Sequence, residues 1–468
     1  MHRVNLAIIG AGPAGMAAAA EAAKAGVRVL LLDEQATLGG QIFRNVEVGS
    51  ELRGAVLGRD YRRGALLTDA VAKSDVDYVA KARVWSIEEN HVAYSTPDGE
   101  YLVEADHVLL ATGALERAMP VPGWTLPGVM TAGAAQIMLK QSGIVAREAV
   151  LVGSGPLLYL VAVQLVRAGF PPKALVETQT RSDMRRAMTH WRAAMRGWRY
   201  LQKGAATLNE LRNAGVPRYV KSRNIALLGS RRVDAVHFSC GGAIHEMATD
   251  TVLLHHGVVP DVQAARMAGI EHHWNAQQNA FVPKVDPWGR TECDGVWIAG
   301  DGAGIGGAMS AELSGRITGL AVAHELGSLP RAERDRRANP LIGQRNVELS
   351  IRPFIDRAFP PYHEALAPED EVTVCRCEEV KAGQIREAAE QGCLGPNQAK
   401  AFTRAGMGRC QGRYCGLSVS RILADANNRS MDDTGYVRVR PPLKPVTLGQ
   451  VAALHDPNAP LEQAGGHD

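Results

Sequence analysis

The chain has 468 residues, 46% apolar, with a formal charge of +3, so two to four domains and a large core are expected and nucleic acid is not an expected partner. No apolar run is long enough to span a bilayer, and the N-terminus has no charged region followed by an apolar stretch and cleavage site, which argues against a signal peptide. The seven cysteines are odd in number and four have metal-like spacing, which fits a reducing cytoplasm better than a disulfide framework.

In chain order, Val4–Ile9 reads as a strand that meets Gly10-Ala11-Gly12-Pro13-Ala14-Gly15. An alanine-rich helix follows to about Ala25, and Val27–Leu32 is a continuous apolar strand ending at Asp33-Glu34. Continuous apolar strands belong in parallel sheets buried on both faces. Gly10 allows the tight turn, Gly12 lets backbone approach a pyrophosphate, and Gly15 lets helix and strand pack closely. Asp33 or Glu34 would accept from a ribose hydroxyl. Three further segments favour FAD over NAD: Leu38-Gly39-Gly40-Gln41, Val108–Gly113 with Thr112, and Gly300-Asp301-Gly302 at a late strand end. The helix after that last turn runs to about Glu325.

A second unit of the same type begins at Glu148–Val152 and turns at Gly153-Ser154-Gly155-Pro156. Its helix spans Leu157–Ala168, and the strand Ala174–Val176 ends at Glu177. Leu158 stands where the third glycine belongs, so it is expected to push the helix away or fill the ligand space. A nicotinamide site, a structural adenine-nucleotide site and an empty relict fold all stay open. Met184, Met188, Trp191, Met195 and Trp198 form one apolar stripe at helical spacing, flanked by Arg181, Arg185, Arg186, Arg192, Arg196 and Arg199. That pattern suits either a helix packed on its own domain or a contact with another protein chain. His255-His256 is read as structural rather than catalytic, and the isolated Cys240 and Cys293 as buried small hydrophobes.

Residues 331–371 are charged and proline-punctuated, a linker with a helix. Within 372–430, Cys375-x-Cys377 and Cys410-x4-Cys415 are separated by 32 residues. Ala382–Gln391, Asn397–Ala405 and Gly416–Ala426 read as helices, which puts Cys415 at a helix N-terminus where a thiolate is favoured. Gly406, Gly408, Gly412 and Gly416 can bring N–H groups to sulfur. Four cysteinates suit either an iron–sulfur centre or zinc; Cys393 is a spectator. Residues 431–468 form a proline-rich tail lying on a surface.

Residues 4–325 resemble the two-dinucleotide flavoproteins that include glutathione and thioredoxin reductases. The resemblance implies an α/β fold: a Rossmann-like FAD domain carrying an inserted second nucleotide domain. It places the Asp301 carboxylate on the flavin's ribityl chain, and makes Leu253–Pro260 the return from the insert. The chain departs from that family in having no redox Cys-x-x-Cys or Cys-x4-Cys in this span, so dithiol–disulfide reduction is not expected. The cysteine module resembles the bacterioferritin-associated-ferredoxin-like [2Fe–2S] domain, although the second pair there is usually Cys-x2-Cys.

The order of these parts, with Gly39-Gly40-Gln41-Ile42, Gly153–Leu158, Cys410–Cys415 and Arg440–Pro445, is similar to the larger, FAD-containing subunit of hetero-oligomeric opine oxidases, dye-linked L-proline dehydrogenases, D-hydroxyproline dehydrogenase and hydrogen cyanide synthase. The resemblance implies an FAD domain at 1–117 and 256–330, a degenerate second nucleotide domain at 118–255, a linker at 331–371, a [2Fe–2S] domain at 372–430 and a tail at 431–468. It implies an amino-acid-oxidase-like flavoprotein partner that oxidises a C–N bond, with this chain relaying electrons. Further implications are a small ferredoxin-like subunit, FMN at a subunit interface, an adenine nucleotide in the second site and a peripheral place at the inner membrane. The competing classes are an NAD(P)H-dependent reductase and a non-catalytic assembly subunit.

Overall fold

The computed structural model describes residues 2–454. The central sheet has Val76–Val79, Val29–Leu32, His2–Ile9 and Gly99–Leu110 in spatial order, all parallel. The long strand Gly99–Leu110 serves two partners along its other edge. Its first half pairs antiparallel with His91–Thr96, which pairs on with Arg83–Glu88, and its last residues pair parallel with Val296–Ile298. Strands 2–9, 29–32 and 296–298 therefore end at one edge, where a parallel sheet presents its ligand crevice.

Helix Pro13–Ala23 is alanine at seven of eleven positions because helix Ala308–Glu325 crosses it at backbone distance. A Cβ at Gly315 would stand 2.0 Å from the Ala14 carbonyl oxygen, and one at Gly319 2.6 Å from that of Ala18. The two helices cover one face of the sheet, with Leu6, Ile8, Leu31 and Leu109 beneath them. Val4, Ala7, Ile9 and Leu110 fill the other face.

A second, wholly parallel sheet runs Arg218–Val220, Ala174–Glu177, Val150–Gly153, Val252–His255 and Val129–Thr131. An antiparallel triplet, Arg223–Leu228, Ala235–Cys240 and Ala243–Ala248, covers it through Phe238 and Ile225. A buried polar chain ties this unit to the first. Gln164 Nε2 donates to the Leu57 carbonyl (3.3 Å), Gln136 Nε2 to Gln164 Oε1 (2.9 Å), and Lys140 Nζ to Gln136 Oε1 (2.7 Å) and to the Gln41 carbonyl (3.2 Å).

Four sequence readings need correction. The expected stripe helix is three segments, Arg181–Met188, Trp191–Arg196 and Trp198–Asn213, broken after Thr189 and at Gly197. The linker is mostly helical: Arg331–Ser350, Arg352–Ala358 and His363–Leu366, with Pro340 inside the first. Cys240 and Cys293 are half-buried, not core; each sulfur faces a carbonyl, of Val220 (3.3 Å) and Ala268 (3.8 Å). The tail is not merely superficial. Val439 and Leu443 are buried in the far-face core beside Val84 and Tyr94, and Leu443 donates its N–H to the Trp85 carbonyl (2.6 Å). The part of the tail at 455–468 lies outside the described residues.

Candidate flavin and cysteine sites

Gly10, Gly12, Pro13, Ala14 and Gly15 form the turn between the first strand and its helix, with Gly12 as N-cap. Gly10 has φ +106, and a Cβ at Gly15 would lie 1.9 Å from the Gly10 carbonyl oxygen, so neither position tolerates a side chain. Gly40 sits directly on this turn: its Cβ would lie 2.8 Å from the Gly12 Cα. Space is open around Gly12 and around Gly113, at the end of the neighbouring strand. The result is a backbone-lined cradle that side chains would fill, and it fits a dinucleotide.

Asp33 is buried at the end of the second strand. Its carboxylate accepts from the amides of Ala11 (2.6 Å) and Gln35 (2.7 Å), and burial raises its pKa against those bonds. Glu34 is exposed and pairs with Lys444 of the tail. Gln41 reaches the Ala114 carbonyl (3.3 Å) through Nε2. Gly300 opens the short turn Gly300–Ala303. Asp301 Oδ1 accepts from the amides of Gly306 (2.8 Å) and Gly307 (2.9 Å), which leaves Oδ2 for a hydroxyl donor.

The second turn is closed by the chain itself. Ser154 Oγ donates to the Pro360 carbonyl (3.2 Å), and Phe359 packs edge-on against Tyr159. Glu177, the acid in the ribose position, is wholly buried; Arg218 grips both its oxygens (2.6 and 2.9 Å) and the Tyr159 hydroxyl donates to it (2.5 Å). Leu158 does not displace the helix, which starts at Pro156; it is buried against Ala132 and Leu175. The linker thus lies over the turn that would receive a nucleotide's phosphates, and the ribose-position acid is already engaged by Arg218 and Tyr159. His255 and His256 are structural here. His255 Nδ1 meets Glu116 (2.6 Å); His256 accepts the Tyr362 amide at Nδ1 (3.2 Å) and faces the Ala118 carbonyl at Nε2 (2.7 Å). Burial holds His256 neutral, far below the usual imidazole pKa.

In the cysteine module, Thr373–Cys375 is a short strand, and Cys415 caps helix Gly416–Ala426. Cys375 and Cys415 share a hydrogen bond, as do Cys377 and Cys410. The Cys415 contact pulls the Cys375 thiol down to about 6 against its burial, aided by the amides of Gly406, Glu378 and Cys377. The same contact and burial push Cys415 well up. Gly408 must be glycine, since its Cβ would lie 2.3 Å from that of Cys377. Cys393 is buried under the helices in the module's core. Among the described residues no set of three or more His, Cys, Asp or Glu side chains is closed up as a metal-ligand group. The donor set itself, four thiols with three amides aimed at one sulfur, suits a thiolate-bound iron–sulfur centre or zinc.

Sequence reading missed what joins the two sites. Thr112 Oγ1 donates to the Asp261 carbonyl (3.0 Å), and the Asp261 amide donates back to Gly113 (2.9 Å). The half-buried Asp261 carboxylate, its pKa raised by loss of solvent, faces Arg413 (3.9 Å) of the loop between Cys410 and Cys415. Arg266 stacks on Tyr436 and Phe281 (4.5 and 5.0 Å), and the Tyr436 hydroxyl reaches the Gly412 carbonyl (3.4 Å). Asp261 lies one residue beyond Pro260, so the return segment carried the only sequence signal. The cysteine loop thus docks on the open end of the flavin-type cradle.

That fold and cradle define a flavoprotein-type oxidoreductase. Residues 4–327 match the family described as pyridine nucleotide-disulphide oxidoreductase, and residues 371–455 match the sarcosine oxidase A3 domain. The chain belongs to the first of these families, and its relatives there include the HcnB subunit of hydrogen cyanide synthase and the A-type subunits of opine oxidase. It is 42% identical to the A-type opine oxidase subunit of Agrobacterium tumefaciens (strain Ach5), over 99% of this chain and 94% of the relative. It is 31% identical to hydrogen cyanide synthase subunit HcnB of Pseudomonas aeruginosa, over 94% and 96%. The crystal structure of L-proline dehydrogenase from P. horikoshii shares the fold, with a TM-score of 0.70 at 19% identity over 96% of this chain and 80% of that one. No helix among the described residues is long and apolar enough to cross a membrane.

Proposed function

We propose that this chain is the electron-relaying subunit of a hetero-oligomeric amino-acid or opine dehydrogenase. A partner similar to amino-acid oxidases removes hydride from the carbon of a C–N bond, and this chain passes the electrons outward. Bound in the cradle, FAD supplies two-electron chemistry, and a [2Fe–2S] centre on the four thiols supplies one-electron steps. The chain's own residues supply placement. Asp301 orients the polyol, the turn Gly10–Gly15 receives the pyrophosphate, and Cys375, Cys377, Cys410 and Cys415 hold the iron. The observation that carries the reading is the Asp261–Arg413 contact, which ties the Thr112–Gly113 loop to the cysteine loop. Relatives named as subunits support the hetero-oligomer. The metal-like spacing of four of the seven cysteines supports the cytoplasm as its compartment. An interfacial FMN and a small ferredoxin-like subunit would belong to the assembled complex.

The competing NAD(P)H-driven reductase is opposed by the covered second turn. The test is anaerobic purification with metal and flavin analysis. About two irons per chain, a rhombic EPR signal on reduction and releasable FAD are expected. One zinc without iron, or no flavin, overturns the reading.

A further inference from the structure

The three segments between Arg181 and Asn213 are amphipathic in the wrong sense for a free surface. Three small residues in the first two segments and at the break after them face inward: Ala187 and Ala194 are buried, and a Cβ at Gly197 would lie 2.7 Å from Ile351. From Met184 to Trp198 the large apolar residues face outward, whereas Leu211 near the end of the third segment is buried. Met184 is 41% exposed, Met188 53%, Trp191 53%, Met195 59% and Trp198 50%. Packing onto helix Arg352–Ala358 is thus made by backbone and alanine, while the apolar stripe is left uncovered. Single exposed hydrophobes need no explanation, but five exposed methionines and tryptophans within fifteen residues of chain do.

The rim is basic. Arg186 and Arg199 are neutralised by Asp183 and Glu348, whereas Arg181, Arg185, Arg192 and Arg196 meet no carboxylate among the described residues. Self-pairing about a two-fold axis would bring two sets of four arginines into one interface, which disfavours a homodimer there. The breaks after Thr189 and at Gly197 prevent one straight helix from lying in a bilayer plane. Methionine, tryptophan and arginine together are the composition of protein interface centres.

We infer that the outward Met184–Trp198 face docks an acid-rimmed apolar groove on the oxidase-like partner subunit. The inference rests on the hetero-oligomer proposed above. Met side chains adapt to the groove, the two tryptophans fill its pockets, and the four arginines that meet no carboxylate here, Arg192 among them stacked over Trp191 (5.6 Å), find their carboxylates on its rim.

The test uses the full chain co-expressed with an amino-acid-oxidase-like partner, and compares wild type with R185E/R192E/R196E and with W191S/W198S. Each variant should weaken the complex by at least about 30-fold, while melting temperature and flavin content stay at wild-type values. Raised salt should weaken the wild-type complex but scarcely change the charge-reversed one. In the wild-type complex, amides 184–201 should gain protection from hydrogen exchange, a readout that does not depend on any variant folding. Unchanged affinity in both variants, with no added protection, overturns the surface assignment but leaves the hetero-oligomer standing. Absence of any wild-type complex overturns both. Dimerisation of the chain alone, abolished by W191S/W198S, would assign the patch to a second copy. Binding to vesicles of four parts phosphatidylcholine to one part phosphatidylglycerol, by the assembled complex and lost on charge reversal, would assign it to a membrane. Either result rejects the proposal.

Discussion

Asp301 spends one carboxylate oxygen on the Gly306 and Gly307 amides and keeps the other free, so its substitution removes both a loop anchor and a ligand contact. Asp301→Ala should weaken FAD retention by on the order of 1.5–3 kcal/mol, seen as a lower flavin-to-protein ratio after dialysis. Gly408→Ala drives a methyl against Cys377, 2.3 Å from its Cβ, and should reduce bound iron, whereas Cys393→Ser should leave the iron content unchanged. Lys140 is buried with only neutral acceptors, and burial, with the nearby Arg44, lowers its pKa from 10.5 to about 7. Above the unfolded value the lysine is neutral in both states and nothing is lost. Between the two values the unfolded chain holds a proton that the folded chain rejects, so stability falls as pH falls, by about 1.4 kcal/mol per unit for one such group. Below the folded value the loss is constant. Urea melts from about pH 7 to pH 10 should therefore show stability rising with pH, and Lys140→Met should flatten that rise.

At the scale of elements, the linker decides what the second nucleotide unit can do. Its first helix packs along the helix Ala308–Glu325, its second against Arg181–Met188, and Phe359–Tyr362 then passes over the Gly153–Gly155 turn. NADH and NADPH should accordingly leave the visible spectrum of the bound flavin unchanged in rapid mixing. Fast bleaching would mean that the segment lifts readily and that the self-sufficient reductase is the better reading. The turn itself is well made: Gly153 and Gly155 have φ of +130 and +117, as a nucleotide loop needs. Sequence pattern found that turn because glycine spacing is local. It assigned the closure to Leu158 because the true cover comes from a segment about 200 residues away.

For the molecule as a whole, the tail works as a strap. After the cysteine module the chain passes Val437 over Gly406 and Gly412, then buries Val439 and Leu443 on the far face of the first sheet. Further on, Gln450 reaches Glu100 (2.8 Å). Ending the chain after Gly435 removes these buried side chains, at about 1.5–3 kcal/mol each. The melting temperature should drop by several degrees, with iron lost more readily as the loop Cys410–Cys415 loosens. The isolated full chain should oxidise neither amino acids nor opines. Activity should appear with the partner and follow the partner's substrate preference; turnover by the chain alone would move the substrate site into it.

The first strand, its glycine turn and the alanine helix were legible because each is a local pattern in which neighbours decide the conformation. Spacing leads to the expectation that Cys375–Cys377 and Cys410–Cys415 come together, and the contacts Cys375–Cys415 and Cys377–Cys410 form because short helices between the pairs return the chain to its start. Tertiary structure alone decided which way the Met184–Trp198 stripe faces, because periodicity marks an apolar face but not what lies against it. It alone showed that Glu177 is consumed by Arg218 and Tyr159, that Glu34 meets Lys444, and that Asp261 meets Arg413. Each of these joins residues far apart in the chain, where charge and hydrogen-bonding capacity are visible in the sequence but the partner that satisfies them is chosen only by packing.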